Sequence, residues 1–544
     1  MTKCNKLWVS DLIGKDFYSW DSKRILLGCG TGRGKTVFAL KYYSKYQLEQ
    51  GKKVLYLCNR TTLKDQIRGD IVKYNVGGVE CISYQKLASD IMKGAEIPKY
   101  DSYICDEAHY FLSDSEFNLY TDIVYEYLLN RNNCTVIYMT ATYKSIFARI
   151  TKDLKEKGYP EPISYYLPTD YSYVEKIYWF KGQKGSVKGI VDTILKEHPE
   201  DKIIYFCNSL TKMQKFYLEY SPDKGMGLDD KYINESKLKY MKFICSDCSD
   251  PEDEESEGKK RKKERKENSF IRKHCSKDSI YYDKSTGGYT FDGKVLVTTK
   301  VLDNGLDFKD RKIKHIICDV FDIESAIQCL GRKRVIDETC IFYIRDYQHN
   351  EVNLFLQTIE NNLESPQLFL KDFDKWITEY GKDRSYKDFT IYFDFDLTND
   401  WTINTIRYEK LLSDKKLVSD MKHKKTSYRI EILKYLGDTA CGKSVDMEEV
   451  EAERQMDSIE IYLKNHVNMR LSKEQQEEFV NLCNITDRYG RQQKAVSQIA
   501  EYVDKNYPYI VYSKKFREKG KLKTHWVIEE KEKNEPNKSI YKPP

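Results

Sequence analysis

The sequence predicts an α/β protein with two tandem parallel-sheet domains, followed by a mainly helical C-terminal region that ends in a β-hairpin module. Up to about residue 350, short apolar runs alternate with helical patterns, which is typical of βαβ units. Beyond that point the pattern is mainly helical. Near the end, two runs alternate at period two around Lys519, Gly520 and Lys521, which indicates a hairpin.

The apolar runs predict five strands in each sheet. Those of the first sheet are 25–28, 53–58, 80–83, 102–105 and 135–139. Those of the second sheet are 203–207, 241–245, 294–298, 314–319 and 340–344. In such sheets the loops at the carboxyl ends of the strands bind ligands, so functional residues are expected there.

The same patterns divide the chain into five segments. These are the two sheet domains (1–170 and 171–350), a helical accessory region (351–460), a module of helices and hairpin (461–530) and a disordered tail (531–544). Helices at 471–483 and 494–505 followed by a basic hairpin resemble a winged-helix module. The alternative is a small structural cap on the sheet domains.

A charged block at 249–268 interrupts the second sheet domain. Its first half is acidic and its second half is basic, so it cannot bury apolar area and is expected to form a mobile, solvated insertion. Contact with nucleic acid, or a localisation signal, is the alternative for the basic half. Cys245 and Cys248, with His274 and Cys275, could assemble a zinc site, but a single CxxC pair is a weak signal.

The charge and hydropathy of the chain limit which partners can be expected. The 544 residues include 91 basic and 85 acidic side chains, a net charge of +6 that does not by itself predict nucleic acid. Lys and Arg concentrate in the first strand-loop-helix unit and near the C-terminus, where a basic stripe would bind phosphates. The sequence has no signal peptide and no apolar run near the ~20 residues of a membrane span. A cytoplasmic protein with no membrane partner and with reduced cysteines is expected.

The most informative segment is a glycine-rich turn between strand 25–28 and a helix. It comprises Cys29, Gly30, Thr31, Gly32, Arg33, Gly34, Lys35 and Thr36. Such a turn directs backbone N–H groups and the positive helix end toward a phosphate. Lys35 would reach the β- and γ-phosphates, and the Thr36 hydroxyl would bind Mg²⁺. Cys29 stands where the strict pattern has glycine, but the three glycines still supply the turn. The segment predicts ATP and Mg²⁺ as cofactors.

A second motif, residues 106–109, follows strand 102–105. Asp106 at the end of that strand, beside the phosphate loop, could hold Mg²⁺ directly or through water. The adjacent Glu107 could polarise the attacking water. An Asp-Glu pair at a helix start is the common alternative, but a strand and an upstream phosphate loop favour the catalytic interpretation.

With these motifs the chain resembles the superfamily 2 helicases of the DEAD/DEAH type over its first two-thirds. Segments similar to the family's motifs follow in its order. They are motif Ia (55–66), a strand-grip segment (82–87), motif III (140–142), motif IV (203–209), motif V (295–307) and motif VI (328–334). Singly, several of these are weak signals, whereas the ordered set is strong. The resemblance implies two RecA-like lobes with ATP bound between them.

The resemblance also implies residue roles. Catalysis falls to Lys35, Asp106, Glu107, Gln328, Arg332 and Arg334, and nucleotide binding to residues 30–36 with Gly305 and Asp307. Motif VI departs from the family pattern, because Val335 stands three residues after Arg332 and the nearer arginine is Arg334. The identity of the arginine finger stays open. No adenine-reading glutamine segment precedes the loop; Trp20 or Tyr18 could stack on the base, although ordinary packing accounts for either.

Nucleic acid, DNA rather than RNA, is the expected partner, with a protein partner through the C-terminal region. The residues expected to contact it are Arg60, Thr61, Ser83, Asn208, Thr299, Lys515 and Lys521. The sequence thus predicts an ATP-dependent helicase. A double-strand translocase that does not separate strands and a non-catalytic binding module are the alternatives. A helicase–nuclease fusion is disfavoured, since the C-terminal part lacks a second metal-binding motif.

Overall fold

The computed structural model describes residues 7–59, 61–116, 118, 120–221, 236–245, 274–299, 306–334, 338–383, 386, 388, 390–394, 398–437, 442–487, 491–518 and 521–531. The charged block at 249–268 lies outside the described residues, as does the tail beyond Lys531. The chain separates into two compact units, Met1–Ser444 and Val445–Pro544. The predicted segment boundaries stay a prediction.

The first sheet is parallel throughout and has six strands. They are β1 (Arg24–Cys29), β2 (Val54–Cys58), β3 (Val79–Ser83), β4 (Ser102–Cys105), β5 (Thr135–Thr140) and β6 (Ile163–Leu167). Their order is β3-β2-β4-β5-β1-β6. Every residue of β1, β2, β4 and β5 is buried, because helices cover both faces of a parallel sheet. The five predicted strands are confirmed, and β6 was not predicted.

The second sheet lies in the same unit. Its strands are β7 (Val174–Lys181), β8 (Lys202–Cys207), β9 (Met241–Ile244), β12 (Val295–Thr298), β13 (Ile313–Asp319) and β14 (Cys340–Asp346), with a hairpin of β10 (Tyr281–Asp283) and β11 (Gly288–Thr290) between β9 and β12. The order is β7-β14-β13-β8-β12-β9, and Ser444, which ends the first unit, begins a further strand beside β7. The five predicted strands are again confirmed. We call the domains built on the first and second sheets lobe 1 and lobe 2.

Helices connect the strands and cover both lobes. In lobe 1 they are Val9–Ile13, Lys35–Val37, Lys45–Glu49, Thr61–Lys73, Tyr84–Met92, Tyr110–Ser113, Thr121–Leu129 and Lys144–Glu156, with a π-helical stretch Phe38–Ser44. In lobe 2 they are Ser186–Glu197, Leu210–Tyr220 and Ile323–Leu330. The chain therefore has the tandem parallel-sheet architecture that the alternating pattern predicts.

After lobe 2 the chain is mainly helical, as predicted. Its helices are His349–Lys371, Phe373–Glu379, Thr405–Lys422 and Tyr428–Leu436, interrupted by an unpredicted hairpin of β15 (Ile391–Asp394) and β16 (Asp400–Ile403).

The helix Thr405–Lys422 touches both lobes. Its Ile406 is fully buried in the core of lobe 1, whereas Val418 and Met421 are buried in the core of lobe 2. This helix therefore packs into the cores of both lobes and connects them.

The second unit is small. Its helices are Met447–Asn465, Lys473–Cys483 and Val496–Asn506, and its strands are β18 (Arg470–Leu471), β19 (Tyr509–Glu518) and β20 (Lys521–Glu530), in the order β18-β20-β19. Apolar residues of all three helices form one core with β19 and β20. The two predicted helices and the hairpin are confirmed, and the winged-helix-like module stays a prediction.

Candidate nucleotide site between the two lobes

The glycine-rich turn begins at the carboxyl end of β1, and its helix begins at Lys35. Gly32 and Gly34 have φ angles of 68° and 83°, a left-handed backbone that glycine adopts without strain. The Lys35 ammonium is buried and donates hydrogen bonds to the carbonyl oxygens of Cys29 at 2.7 Å and Gly30 at 3.3 Å. The carbonyl groups of the turn thus hold the lysine side chain, and the left-handed glycines give the backbone geometry that phosphate binding requires.

Neighbouring segments hold this turn in place. The backbone N–H of Thr31 donates to the Thr169 hydroxyl at 3.1 Å, and a Cβ atom at Gly30 would overlap Thr169. The Arg33 guanidinium donates to the carbonyl of Pro168 at 2.9 Å. The segment after β6 therefore fixes the turn, a support that sequence reasoning missed.

The carboxylate pair lies at the carboxyl end of β4. Asp106 is 3% exposed, and its Oδ2 accepts a hydrogen bond from the Tyr56 hydroxyl at 2.6 Å. Burial, and then the charge of Glu107, raises the pKa of Asp106 to about 6. Burial also acts to raise the pKa of Glu107, but Lys35 and the basic side chains around it hold that pKa below its usual value. Two carboxylates and a lysine thus share one buried, charged site.

Glu107 has a φ of 50°, which is uncommon for a residue with a side chain. Backbone strain of this kind costs on the order of 1–3 kcal/mol and tends to occur at functional sites. The conformation is maintained by its neighbours: the Glu107 N–H donates to Asp106 at 3.0 Å, and the next N–H, of Ala108, donates to Met139 in β5 at 2.8 Å. The strain is consistent with a positioned catalytic group.

These oxygen ligands fit Mg²⁺. The Tyr56 hydroxyl donates to Asp106 at 2.6 Å, and Thr36 is close enough to this hydroxyl to act on the pKa of Tyr56, so the two predicted ligands are neighbours of one tyrosine. Carboxylate and hydroxyl oxygens are the ligands that this cation prefers. The described residues contain no cluster of three or more His, Cys, Asp or Glu side chains suited to a metal. Cys248 lies outside the described residues, so the zinc prediction stays untested.

Lobe 2 completes the site with two arginines. A Cβ atom built on Gly32 would lie 3.5 Å from Nη1 of Arg334, and one built on Gly331 would lie 3.0 Å from the Thr31 hydroxyl. Arg334 also donates to Asp307 at 2.7 Å. Arg332 is 1% exposed and donates to the carbonyl of Gln328 at 3.1 Å. Arg334 is thus the arginine seen beside the phosphate loop.

A chain of buried polar contacts links the two lobes behind this site. Nδ1 of His109 lies 3.0 Å from the Thr140 hydroxyl, and that hydroxyl accepts a hydrogen bond from the N–H of Thr142 at 3.1 Å. In turn, the side-chain amide of Gln328 donates to the Thr142 hydroxyl at 3.0 Å. Glu107 joins the other end, because its carboxylate lies 3.5 Å from His109. The carboxylate pair and the motif VI helix are therefore physically connected.

Comparison with known proteins finds one family-model match. Residues 8–94 match the family model described as "Type III restriction enzyme, res subunit". This match includes the phosphate loop and motif Ia. No curated protein matches the chain.

Solved structures match at low identity. S. cerevisiae Dbp5 bound to RNA and ADP-BeF3 is 12% identical over 61% of this chain and 81% of that one, with a TM-score of 0.40. The Escherichia coli DEAH/RHA helicase HrpB is 12% identical over 64% of this chain and 43% of that one, and Mss116 bound to ssRNA and AMP-PNP is 14% identical over 61% and 68%, both with TM-scores of 0.40.

The chain thus has two tandem parallel-sheet lobes, and its residues 8–94 are similar to the res subunit of type III restriction enzymes.

Three of the residues predicted to contact nucleic acid lie at or directly after the carboxyl ends of strands. Ser83 ends β3 and caps the next helix by accepting from the N–H of Lys86 at 3.1 Å. Asn208 follows β8, and Thr299 follows β12. Arg60 and Gly305 lie outside the described residues, as do the side chains of Thr61 and Lys521. Lys515 is exposed on β19 in the second compact unit.

Two tyrosines of the candidate nucleotide site were missed by sequence reasoning. Besides Tyr56, Tyr84 donates to the carbonyl of Asp106 at 2.8 Å. A hydroxyl-bearing ring in otherwise aliphatic β2 is the signal that could have found Tyr56. Trp20, by contrast, is 1% exposed among aromatic rings, as ordinary packing predicts. Among the described residues, no helix is long and apolar enough to cross a membrane.

Proposed function

We propose that this chain is an ATP-driven nucleic-acid motor that translocates on DNA and separates its strands. The observation that carries the proposal is the placement of Arg334 from lobe 2 beside Gly32 in the phosphate loop of lobe 1. A nucleotide site assembled from two lobes changes when the lobes separate. Binding can therefore close the cleft and hydrolysis can open it, which is what a motor requires.

Each residue of the site has a role in this proposal. Lys35, released from its carbonyl partners, neutralises phosphate charge, and Asp106 with Thr36 holds Mg²⁺. When bound, Mg²⁺–ATP supplies the phosphoryl group and its charge-neutralising cation. Glu107 accepts a hydrogen bond from the attacking water and orients it. Arg334 stabilises the charge that develops on the transferred group, and we propose it as the arginine finger.

Arg332 would support the site indirectly. It is buried against the carbonyls of Gln328 at 3.1 Å and Leu306 at 3.5 Å, so its guanidinium holds the turn that carries Arg334. The chain of polar contacts from His109 to Gln328 would couple closure of the cleft to the position of motif III.

The proposal also covers the nucleic acid on which the motor moves and the roles of the accessory regions. The description of the matched family model, a restriction-enzyme subunit, supports DNA over RNA. Loops after β3, β8 and β12 would contact the sugar-phosphate backbone. The winged-helix-like unit would add sequence-independent affinity through its basic hairpin, and its remaining surface would receive a protein partner.

A strand-displacement assay tests the proposal. Duplexes with a single-stranded tail and with blunt ends are offered separately, with ATP and with a non-hydrolysable analogue. We expect ATP-dependent displacement of the tailed duplex, because a tail gives the motor a strand on which to load. Movement along the duplex without displacement would favour a translocase, and nucleic-acid binding without any ATP turnover would refute the motor.

A further inference from the structure

Lobe 2 contains a cavity of about 990 Å³ that shares no lining residue with the nucleotide site. It lies between the loop 182–185, the N-terminal end of the helix Ser186–Glu197 and one side of the helix Leu210–Tyr220, and its base is formed by residues of β8, β13 and β14. Its volume falls at the upper end of the range of small-molecule sites, ~300–1,000 Å³. The cavity is thus large enough for a ligand that carries several phosphate groups.

The lining of this cavity is basic. It includes two acidic side chains and five basic ones, namely Glu219 and Asp319 against Lys184, Lys188, Lys212, Lys215 and Arg345. Among the described residues, neither Lys184 nor Lys215 takes part in an ion pair, whereas Lys188 pairs with Asp192 at 2.9 Å. Within the part of lobe 2 that the structure describes, these two ammonium groups therefore form no ion pair.

Asp319 is already neutralised by its neighbours. The Lys212 ammonium donates to its two oxygens at 2.8 and 2.9 Å, and the Arg345 guanidinium donates to them at 2.9 and 3.0 Å. The Tyr347 hydroxyl donates a further hydrogen bond at 3.0 Å. Arg345 also pairs with the carboxylate of Glu351. The charges of Lys212 and Arg345 are therefore balanced by Asp319 and Glu351, and the positive charge that remains at the cavity belongs to Lys184 and Lys215.

Arg345 is built into this site. The residue is 8% exposed, and its Nε–H has no hydrogen-bond partner among the described residues. A buried donor without a partner costs about 1–3 kcal/mol, so its presence needs a reason. A Cβ atom at position 182 would overlap the guanidinium, so only Gly182 lets Arg345 lie at the cavity wall.

The loop beside Arg345 presents a backbone donor to anions. Gly185 has a φ of 82° and precedes the 12-residue helix Ser186–Glu197. Its N–H donates to the Glu219 carboxylate at 3.3 Å, and the positive end of a helix favours a negatively charged group at this position. An acidic side chain therefore already occupies the place that a phosphate oxygen would take.

We propose that this cavity is a second phosphate-binding site, separate from the ATP cleft, in which Lys184 and Lys215 bind a phosphate-bearing ligand and a phosphate oxygen replaces the Glu219 carboxylate at the Gly185 N–H. The phosphate has two sources: a free polyphosphate compound, or the backbone of nucleic acid. The second source rests on the proposed function, since the helix Leu210–Tyr220 at the cavity begins directly after Asn208 and Ser209, where nucleic acid is expected.

Calorimetric titration of the full chain with inorganic tripolyphosphate, and separately with a 12-nucleotide single-stranded DNA, tests the proposal. The variant is Lys184→Glu with Lys215→Glu. The matched control is Lys196→Glu with Lys155→Glu, two exposed helix lysines that do not line the cavity. Lys35→Ala is a third variant that removes the cleft lysine and identifies binding there.

We expect the cavity variant to lose one tripolyphosphate site, or to weaken it at least tenfold, while the control binds as the parent does and ATP turnover is unchanged. Loss of tripolyphosphate binding alone identifies a free compound as the source, and a matching loss of DNA affinity identifies the strand. Equal affinities in parent and cavity variant, or an equal loss in the control, would overturn the proposal. An effect of Lys35→Ala reports only on the cleft, so failure of the proposed nucleotide site is distinguished from failure of the cavity.

Discussion

The hydrogen bond between Gln328 and Thr142 offers a quantitative test of coupling between the lobes. Both side chains are at most 3% exposed, and the bond of 3.0 Å joins motif VI to motif III. Replacing either partner leaves the other buried without its hydrogen bond, at a cost of about 1–3 kcal/mol. If the bond exists only when the lobes are closed, Gln328→Ala shifts the closing equilibrium by about 5- to 150-fold.

Steady-state ATP hydrolysis measures this shift. Because Arg334 lies beside the phosphate loop only when the lobes are closed, we expect kcat/KM for ATP to fall by a similar factor in Gln328→Ala and in Thr142→Val. The double variant should be no worse than either single one, since removing both partners leaves no unpaired group. Losses that multiply in the double variant would refute the coupling. Ile327→Val, on the same helix, is the matched control, and thermal unfolding checks that each variant folds.

Three further outcomes follow from the site. Glu107→Gln should bind ATP as the parent does but hydrolyse it orders of magnitude more slowly, because the fold and the metal ligand remain; an unchanged rate would exclude the role of this residue. Arg334→Ala and Arg332→Ala should each lower kcat more than they weaken nucleotide binding, as for contacts made in the transition state; normal turnover in Arg334→Ala would leave Arg332 as the finger. Charge reversal at Lys515 and Lys521 should weaken nucleic-acid binding and reduce its salt slope by up to about one per lost phosphate contact, without affecting basal ATP hydrolysis; unaltered affinity would favour a structural cap.

The strands that the sequence predicted are those with continuous apolar runs. β1, β2, β4 and β5 are buried on both faces and contain few polar residues, so their composition alone identifies them. β6 and β7 mix exposed and buried positions. Strands that mix exposed and buried positions have a weaker signal, because the positions that face solvent tolerate polar residues.

The candidate site divides in the same way. Motifs that are contiguous in sequence, such as the phosphate loop and residues 106–109, could be predicted because one strand and one loop hold all their groups. Contacts between distant segments could not be predicted from the sequence. Thr169 supports Thr31 across 138 positions, and Gln328 bonds to Thr142 across 186 positions. Only the folded chain brings such residues together.

The open question about the motif VI arginines shows the same limit. Spacing alone left both Arg332 and Arg334 as candidates for the finger. In the structure, Arg334 lies beside Gly32 and is bonded to Asp307, whereas Arg332 is buried against backbone carbonyls. The difference depends on the direction in which each side chain leaves the turn, which spacing does not encode.

The central claim is that ATP hydrolysis between the lobes is coupled to nucleic acid. The most direct test is the rate of ATP hydrolysis by the full chain alone and with single-stranded DNA, double-stranded DNA or RNA, with Glu107→Gln measured in parallel. The account predicts a rate that rises with nucleic acid, most with DNA, and that falls by orders of magnitude in the variant. Hydrolysis that no nucleic acid changes, or that the variant retains in full, would contradict it.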